Sequence, residues 1–178
     1  KTGIMAYVEI PKLNIYMPVY HGTDEGVLQI AAGHLPGSSL PVGGENTHSL
    51  ISGHRGLPSA KLFTDIDKLK KGDLFFIHVF DEVLAYQIKI VLPDDVETLE
   101  IEKGKDYVTL ITCTPYGVNS HRLLVRGERT VYKQSESKIE DMIKKNNLKY
   151  IMLTAGVILA LIGMTVLVSV FLIKRRKR

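Results

Sequence analysis

The feature that most constrains this chain is a run of 23 residues without a charged side chain, at positions 151–173. At 1.5 Å per residue, a helix of this length spans about 34 Å, slightly more than the roughly 30 Å hydrocarbon core of a bilayer. A buried core helix is the alternative interpretation, but the run is longer than a small domain can surround. Residues 151–173 are therefore predicted to form a transmembrane helix.

Five basic residues, KRRKR, follow the apolar run at positions 174–178. Such a run also occurs in nuclear-localisation signals, but directly after a hydrophobic span it is typical of the cytoplasmic side of a membrane protein. The predicted localisation is the cell membrane, crossed once, with residues 1–150 extracellular and the C-terminus cytoplasmic.

The basic tail also accounts for the formal net charge of +4. Residues 1–150 contain 18 Lys and Arg against 19 Asp and Glu, a net charge of −1. This balance gives no reason to expect nucleic-acid binding. A single cysteine, and no Cys/His cluster at metal-ligand spacing, argue against an internal disulfide and a zinc finger. No metal ion or cofactor is expected.

Short β-rich runs separated by Gly and Pro predict a mainly β domain upstream of the apolar run. The predicted strands cover residues 7–10, 13–16, 49–52, 74–80, 83–90, 107–112, 122–125 and 130–132. Two short helices are predicted, at residues 24–32 with Thr23 as the N-cap and at residues 59–69. This pattern suits a barrel or a sandwich. The polar, Lys/Glu-rich residues that follow predict a juxtamembrane spacer.

Cys113 ends one predicted strand and precedes a Pro-Tyr-Gly turn, and residues 122–125 are predicted to form the returning strand. If paired residue numbers sum to 235, Cys113 lies opposite Arg122, with Cβ atoms about 4.5–5.5 Å apart. A guanidinium at that distance favours the thiolate and could also bind an oxyanion at the reacting carbon. A shift of one residue would instead put the two side chains on opposite faces.

Nucleophilic catalysis by a thiol needs a base or a cation nearby. Of the six histidines, His54 directly follows a predicted strand and adjoins a glycine, which is a location typical of catalytic groups. His121 adjoins Arg122 but alternates to the other face of the predicted ladder. From the residues alone, Cys113, His54 and Arg122 each have a structural alternative: a buried thiol, a surface histidine and a salt-bridged arginine.

Residues 109–113, TLITC, match the TLxTC signature of sortases, the cysteine transpeptidases of Gram-positive cell surfaces. Three further features resemble the class C, pilin-polymerising branch of that family. They are residues 109–127, TLITCTPYGVNSHRLLVRG; residues 10–73, which include SGHRGLPSAKLFTDIDKLKKGD; and the C-terminal membrane segment with its basic tail. The resemblance covers residues 7 to about 133, and then the anchor.

This resemblance implies a sortase-type closed β-barrel of about eight strands with short helices, in an extracellular catalytic domain at residues 1–133. A spacer at residues 134–150, the transmembrane helix and the basic tail would follow. The resemblance makes Cys113 the nucleophile, His54 the general acid/base, and Arg122 the residue that stabilises the oxyanion or the substrate. Class C members usually also carry an upstream lid with an Asp-Pro-aromatic motif, and this sequence contains no such motif.

The expected function is pilus assembly by a membrane-anchored transpeptidase. The enzyme would cleave an LPxTG-like sorting signal after Thr, form a thioester on Cys113 and transfer it to a Lys amine of another pilin subunit. The expected partners are therefore pilins that carry the signal and pilins that supply the acceptor Lys. Two alternatives stay open: a housekeeping sortase that uses a cell-wall precursor amine, and a non-enzymatic surface binding module with a bystander cysteine.

Overall fold

The computed structural model describes residues 3–57, 60–93 and 99–132, and these residues form eight β-strands and little helix. The strands are β1 Ile4–Ile10, β2 Ile15–His21, β3 Ala32–His34, β4 Thr47–Ser52, β5 Leu74–Val79, β6 Glu82–Pro93, β7 Asp106–Thr114 and β8 His121–Thr130. The α-helix α1 covers Glu25–Leu28, and short 3₁₀ helices cover Pro11–Leu13 and Ile66–Lys68.

The strands close into a barrel in the order β1-β2-β3-β4-β7-β8-β6-β5. The pairs β2–β3 and β4–β7 are parallel, and the remaining neighbours, including the closing pair β5–β1, are antiparallel. Closure confirms the predicted mainly β barrel of about eight strands and excludes the sandwich.

Alternating side chains along the strands fill the barrel, as the pleat of a strand requires. In β1, for example, Ala6, Val8 and Ile10 are buried in the core while the residues between them are more exposed. The segment between β4 and β5 adds Phe63 and Ile66 to the same core. Burial of this apolar segment helps to fill the barrel and fixes the chain that follows β4.

The structure corrects several predicted elements. The helix expected at 59–69 is reduced to the 3₁₀ turn Ile66–Lys68, since Leu62 has a positive φ of 34° that interrupts a helix. Helix α1 is shorter than residues 24–32, and its N-cap is Asp24 rather than Thr23, because the Asp24 side chain accepts a hydrogen bond from the N–H of Val27 at 3.2 Å.

Two strands also differ from the prediction. The run at 13–16 is not one strand: Leu13 ends a 3₁₀ helix, and β2 extends from Ile15 to His21. Strand β3 was not predicted at all. The run at 130–132 is not a separate strand, because Thr130 is the last residue of β8.

The barrel belongs to the unit Lys1–Val131, which is distinct from the unit Tyr132–Arg178. Among residues 3–57, 60–93 and 99–132, no helix has the length and apolar character needed to cross a membrane. The predicted spacer at 134–150, the transmembrane helix at 151–173 and the tail at 174–178 lie outside the described residues.

Candidate active site

Cys113 lies one residue before the end of β7 and pairs with Arg122 near the start of β8. Paired residue numbers along the whole ladder sum to 235, so the predicted register is confirmed. Neighbouring Leu123 is buried in the barrel core, and side chains alternate along a strand. Cys113 and Arg122 therefore lie side by side on the outer face of the barrel.

His54 approaches Cys113 from the opposite side of β7. Strand β4 runs parallel to β7, and their ladder ends with Ser52 opposite Ile111. The N–H of Gly53 donates to the carbonyl oxygen of Ile111 at 3.0 Å, which continues this register beyond the end of β4. Two positions after the last pair, His54 is in register with Cys113. The fold thus brings His54, Cys113 and Arg122 into one row across three adjacent strands.

Gly53 is required where β4 leads into His54. A Cβ atom on Gly53 would lie 2.5 Å from Cδ2 of Phe63, which is fully buried, so a larger residue would displace a core side chain. The Gly53 carbonyl accepts a hydrogen bond from the Thr112 hydroxyl at 2.7 Å, and the His54 carbonyl accepts one from the N–H of Phe63 at 3.1 Å. These contacts hold the backbone of His54 on the barrel wall.

The three side chains differ in exposure and in their surroundings. Cys113 is half-buried and Arg122 is exposed. Arg122 donates from Nη1 to the carbonyl oxygens of Asn119 and His121, at 3.3 and 3.2 Å. The side chain of His54 is 27% exposed, and its Nε2 lies 3.6 Å from Oε2 of Glu25 in helix α1. A solvent-accessible thiol, an imidazole and a guanidinium in one row can supply a nucleophile, a proton carrier and an anion-binding group.

Sequence reasoning missed a second arginine beside this row. Arg55, directly after His54, is largely buried and contacts the C-terminal end of β7 and Asp67. Its position next to His54 was the available signal. The partners could not be identified from the sequence, because they lie 9 to 59 residues further along the chain.

The remaining histidines do not belong to the row. Strand β8 places His121 opposite Thr114, one position after Cys113, so His121 alternates to the other face as predicted. His48 and His78 are engaged with Glu100 and Glu9, and His21 stacks on His34. Within the described ranges, no three His, Cys, Asp or Glu side chains are grouped so that they could hold a metal ion.

The sequence matches the family model described as the sortase domain, over residues 8–130. Among curated proteins, Sortase D of Bacillus subtilis (strain 168) is 32% identical over 134 residues. That alignment covers 72% of this chain and 63% of the relative, so the chain spans less than two thirds of the length of this relative.

Solved structures of class C sortases share this fold. Sortase C1 of Streptococcus agalactiae is 57% identical, with a TM-score of 0.72 over 74% of this chain and 69% of that one. Sortase C of Streptococcus pneumoniae is 56% identical, with a TM-score of 0.71 over 72% of this chain and 70% of that one. Because the family model matches most of the chain and the barrel has the fold of these structures, the chain belongs to the sortase family of cysteine transpeptidases.

Proposed function

We propose that this protein is a class C sortase that joins pilin subunits through an isopeptide bond. The observation that carries the proposal is the single row of His54, Cys113 and Arg122 on the outer, solvent-accessible face of the barrel. A structural cysteine would need neither an exposed position nor a guanidinium in register with it. The arrangement instead supports covalent catalysis at Cys113.

The first half of the proposed reaction is acylation of the thiol. The Cys113 thiolate, whose proton has passed to His54, attacks the Thr carbonyl carbon of an LPxTG-like sorting signal, and Arg122 donates hydrogen bonds to the oxyanion that develops on the carbonyl oxygen. The C–N bond to the following Gly then breaks while His54 protonates the departing amine. The products are a thioester on Cys113 and the released C-terminal part of the signal.

The second half transfers the acyl group to an amine. A Lys side chain of another pilin attacks the thioester carbonyl carbon, a new amide C–N bond forms, and the Cys113 thiolate leaves. A Lys amine has a pKa near 10.4 and is mostly protonated at neutral pH. Forming the amide from a protonated Lys amine while the thiolate leaves releases two protons: one passes to solvent when the amine becomes neutral, and His54 accepts the other. His54 would therefore act first as an acid and then as a base.

The pilin substrate is supported by the relatives and by the surface beside Arg122. The structure of the Streptococcus pneumoniae relative is described as informative on pilin substrate specificity, and that protein is 56% identical to this chain. Tyr116 and Val118, in the turn between β7 and β8, are 61% and 69% exposed. Exposed apolar surface at this position suits a peptide that must lie along the row.

Membrane attachment through residues 151–173, with the barrel outside the cell, is part of the same proposal. Its support is the length of the uncharged run and the basic residues that follow it. A tethered enzyme searches a surface rather than a volume for a substrate that is itself membrane-anchored, which raises the effective concentration of both.

The test is to incubate the full chain, in detergent or vesicles, with candidate pilins and to identify the linked residues by mass spectrometry. A bond from a pilin C-terminal Thr to a Lys ε-amine would support the proposal, with Cys113→Ala as the inactive control. Linkage to glycine or cell-wall-type amines alone would favour the housekeeping alternative. Slow labelling of Cys113 by a methanethiosulfonate reagent in the folded protein, together with no linkage at all, would favour a binding module.

A further inference from the structure

The side chain of Arg55 connects three segments of the barrel at the candidate active site. It is 7% exposed, and each of its three nitrogens donates a hydrogen bond. Nε donates to the Thr64 carbonyl at 3.2 Å, Nη2 donates to Oδ2 of Asp67 at 2.6 Å, and Nη1 donates to the Thr114 hydroxyl at 3.2 Å. Nη1 also reaches the Cys113 carbonyl at 3.4 Å.

This connection lies where the β4–β7 ladder stops. Among the described residues, the last backbone hydrogen bond between the β4 segment and β7 runs from the N–H of Gly53 to the carbonyl oxygen of Ile111. The His54 carbonyl turns to Phe63 instead of to β7. The backbone ladder therefore ends one row before His54 and Cys113. Beyond the hydrogen bond from the Thr112 hydroxyl to the Gly53 carbonyl, the side chain of Arg55 links the His54 segment to the last two residues of β7, Cys113 and Thr114.

The charge of Arg55 is already used within this contact. The carboxylate of Asp67 lies 2.6 Å from the guanidinium, and the two opposite charges together leave the pair with almost no net charge. The ring of Tyr116 adds a contact 5.8 Å from the guanidinium carbon, on the turn that follows β7. Geometry, rather than net charge, is what Arg55 contributes. A planar guanidinium can serve all these acceptors at once, whereas the point charge of a Lys cannot.

We propose that Arg55 is a positioning residue of this sortase, which holds the Cys113 end of β7 in register with His54. The reaction that this register serves is the acyl transfer of the proposed function. Proton transfer needs the imidazole within hydrogen-bond reach of the reacting atoms, and a misplacement of about 1 Å can cost on the order of 10²-fold in rate. Arg55 does not touch substrate in this role.

Arg55→Lys in the full chain tests the role, with Arg126→Lys as the matched control. Arg126 is also an arginine with little exposure, at 11%, and pairs with Glu102 at 3.1 Å. It lies opposite Thr109, roughly 13 Å along β7 from Cys113. For cleavage of a soluble sorting peptide, Arg55→Lys should lower kcat about 10- to 100-fold while KM changes less than about threefold. Arg126→Lys should leave both within about threefold.

A second readout does not depend on peptide cleavage. The rate of Cys113 alkylation by iodoacetamide is measured in a double-mutant cycle of Arg55→Lys and His54→Ala. In the parent chain, His54→Ala should change the alkylation rate by at least about threefold, because the imidazole adjoins the thiol. In the Arg55→Lys background, the same substitution should change the rate by less than about 1.5-fold. Asp67→Asn keeps the guanidinium and should show an intermediate loss of coupling.

The outcomes separate this role from a structural one and from the proposed function. If His54→Ala changes the alkylation rate equally in both backgrounds, or changes it in neither, the positioning role is wrong. A kcat loss that only follows a loss of folded protein, measured by thermal unfolding, would also contradict it. If the parent chain cleaves no sorting peptide but the coupling disappears in Arg55→Lys, the positioning role stands and the proposed function fails.

Discussion

Strand β7 begins at Asp106 and ends beside Cys113, and the two ends differ in how their polar groups are satisfied. At the first end, both carboxylate oxygens of Asp106 accept hydrogen bonds at 2.9 Å, one from the Tyr86 hydroxyl and one from the Gly44 N–H. At the other end, the Cys113 sulfur is half-buried and has no hydrogen bond to any residue in the described part of the chain.

The difference separates stability from reactivity along one strand. Burial, reinforced by the Asp106 carboxylate, raises the pKa of Tyr86, so its hydroxyl keeps the proton that it donates. Both carboxylate oxygens of Asp106 are thus engaged in contacts that stabilise the fold. In the described part of the chain the thiol at the other end makes no such bond, so its sulfur is not committed to a structural contact.

The largest effect is expected at the reactive end. Cys113→Ala should reduce sorting-peptide cleavage by more than about 10³-fold, because the thioester cannot form. The melting temperature should stay within about 2 °C, because a half-buried side chain without hydrogen bonds contributes little packing. Cleavage assays and calorimetry on the same preparations check both claims. Residual transpeptidation at a tenth of the parent rate would remove Cys113 from the nucleophile role.

His54→Ala should lower kcat by roughly 10²–10⁴-fold, because the leaving amine then departs without a proton donor. His121→Ala is the matched control, since His121 adjoins Arg122 but faces away from the row. Steady-state kinetics on both variants decide between them. If His121→Ala were the more damaging change, the general acid would have to be reassigned to that residue.

Arg122→Lys should lower kcat about 10²–10³-fold although the charge is kept, because an ammonium cannot reproduce the planar fork of donors. Arg129→Lys, an exposed change near the far end of the same strand, serves as the control. Equal rates for Arg122→Lys and the parent enzyme would mean that charge alone matters beside the thiol.

At the structural end, Asp106→Asn should cost about 2 kcal/mol of unfolding free energy, because two hydrogen bonds to a charged acceptor are weakened. Activity per folded molecule should not change. Urea unfolding measures the stability, and Asp81→Asn in the exposed turn between β5 and β6 is the control. If Asp106→Asn kept full stability but lost activity, the Asp106 end of β7 would not have a purely structural role.

The smallest expected effect is on the pH dependence of stability, at a histidine that contacts the middle of β7. His48 lies between the two ends, with Nε2 2.7 Å from the Thr109 hydroxyl oxygen and Nδ1 donating to the Glu100 carbonyl at 2.9 Å. Burial lowers the pKa of His48 below 6.5, with a further contribution from Arg126, and the Glu100 hydrogen bond opposes this shift.

Because the unfolded chain binds a proton at this histidine before the folded chain does, stability should fall as the pH drops below about 6.5, by at most about 1.4 kcal/mol per pH unit. His48→Gln should flatten this slope, measured by urea unfolding between pH 7 and pH 5. An equal slope in His48→Gln and the parent chain would show that His48 is not part of the structural half.

The sequence suggested the pairing of β7 with β8, because the two strands are close in the chain, but a shift of one residue stayed open until the structure fixed the register. In this register Leu110 and Val125 are buried together in the core, while Cys113 is half-buried and Arg122 is exposed. The TLxTC signature then added the roles of these residues. His54 was found from its place after a strand, but its partner strand was not.

What the sequence could not supply depends on contacts between distant parts of the chain. Strand β3 is the three residues Ala32–His34, with no β-branched or aromatic side chain to mark a strand, and it exists because β2 and β4 flank it. The helix expected at 59–69 rested on the helical spacing of Leu62, Phe63, Ile66 and Leu69, yet in the barrel core these residues are buried from a turn in which Leu62 has a positive φ. The ion pair between Arg55 and Asp67 also depends on this segment, because Asp67 lies in its 3₁₀ turn.

The parallel pairing of β4 with β7 also affects the order in which the three residues of the proposed catalytic row meet during folding. Cys113 and Arg122 are nine residues apart on one hairpin, which can close within microseconds. His54 precedes Cys113 by 59 residues, and the parallel pairing of β4 with β7 has to close the long connection that contains β5 and β6. On refolding, peptide cleavage should therefore recover later than formation of the hairpin. The proposed catalytic row would therefore be completed only after the hairpin has formed, so a partly folded chain could hold Cys113 beside Arg122 before His54 joins them.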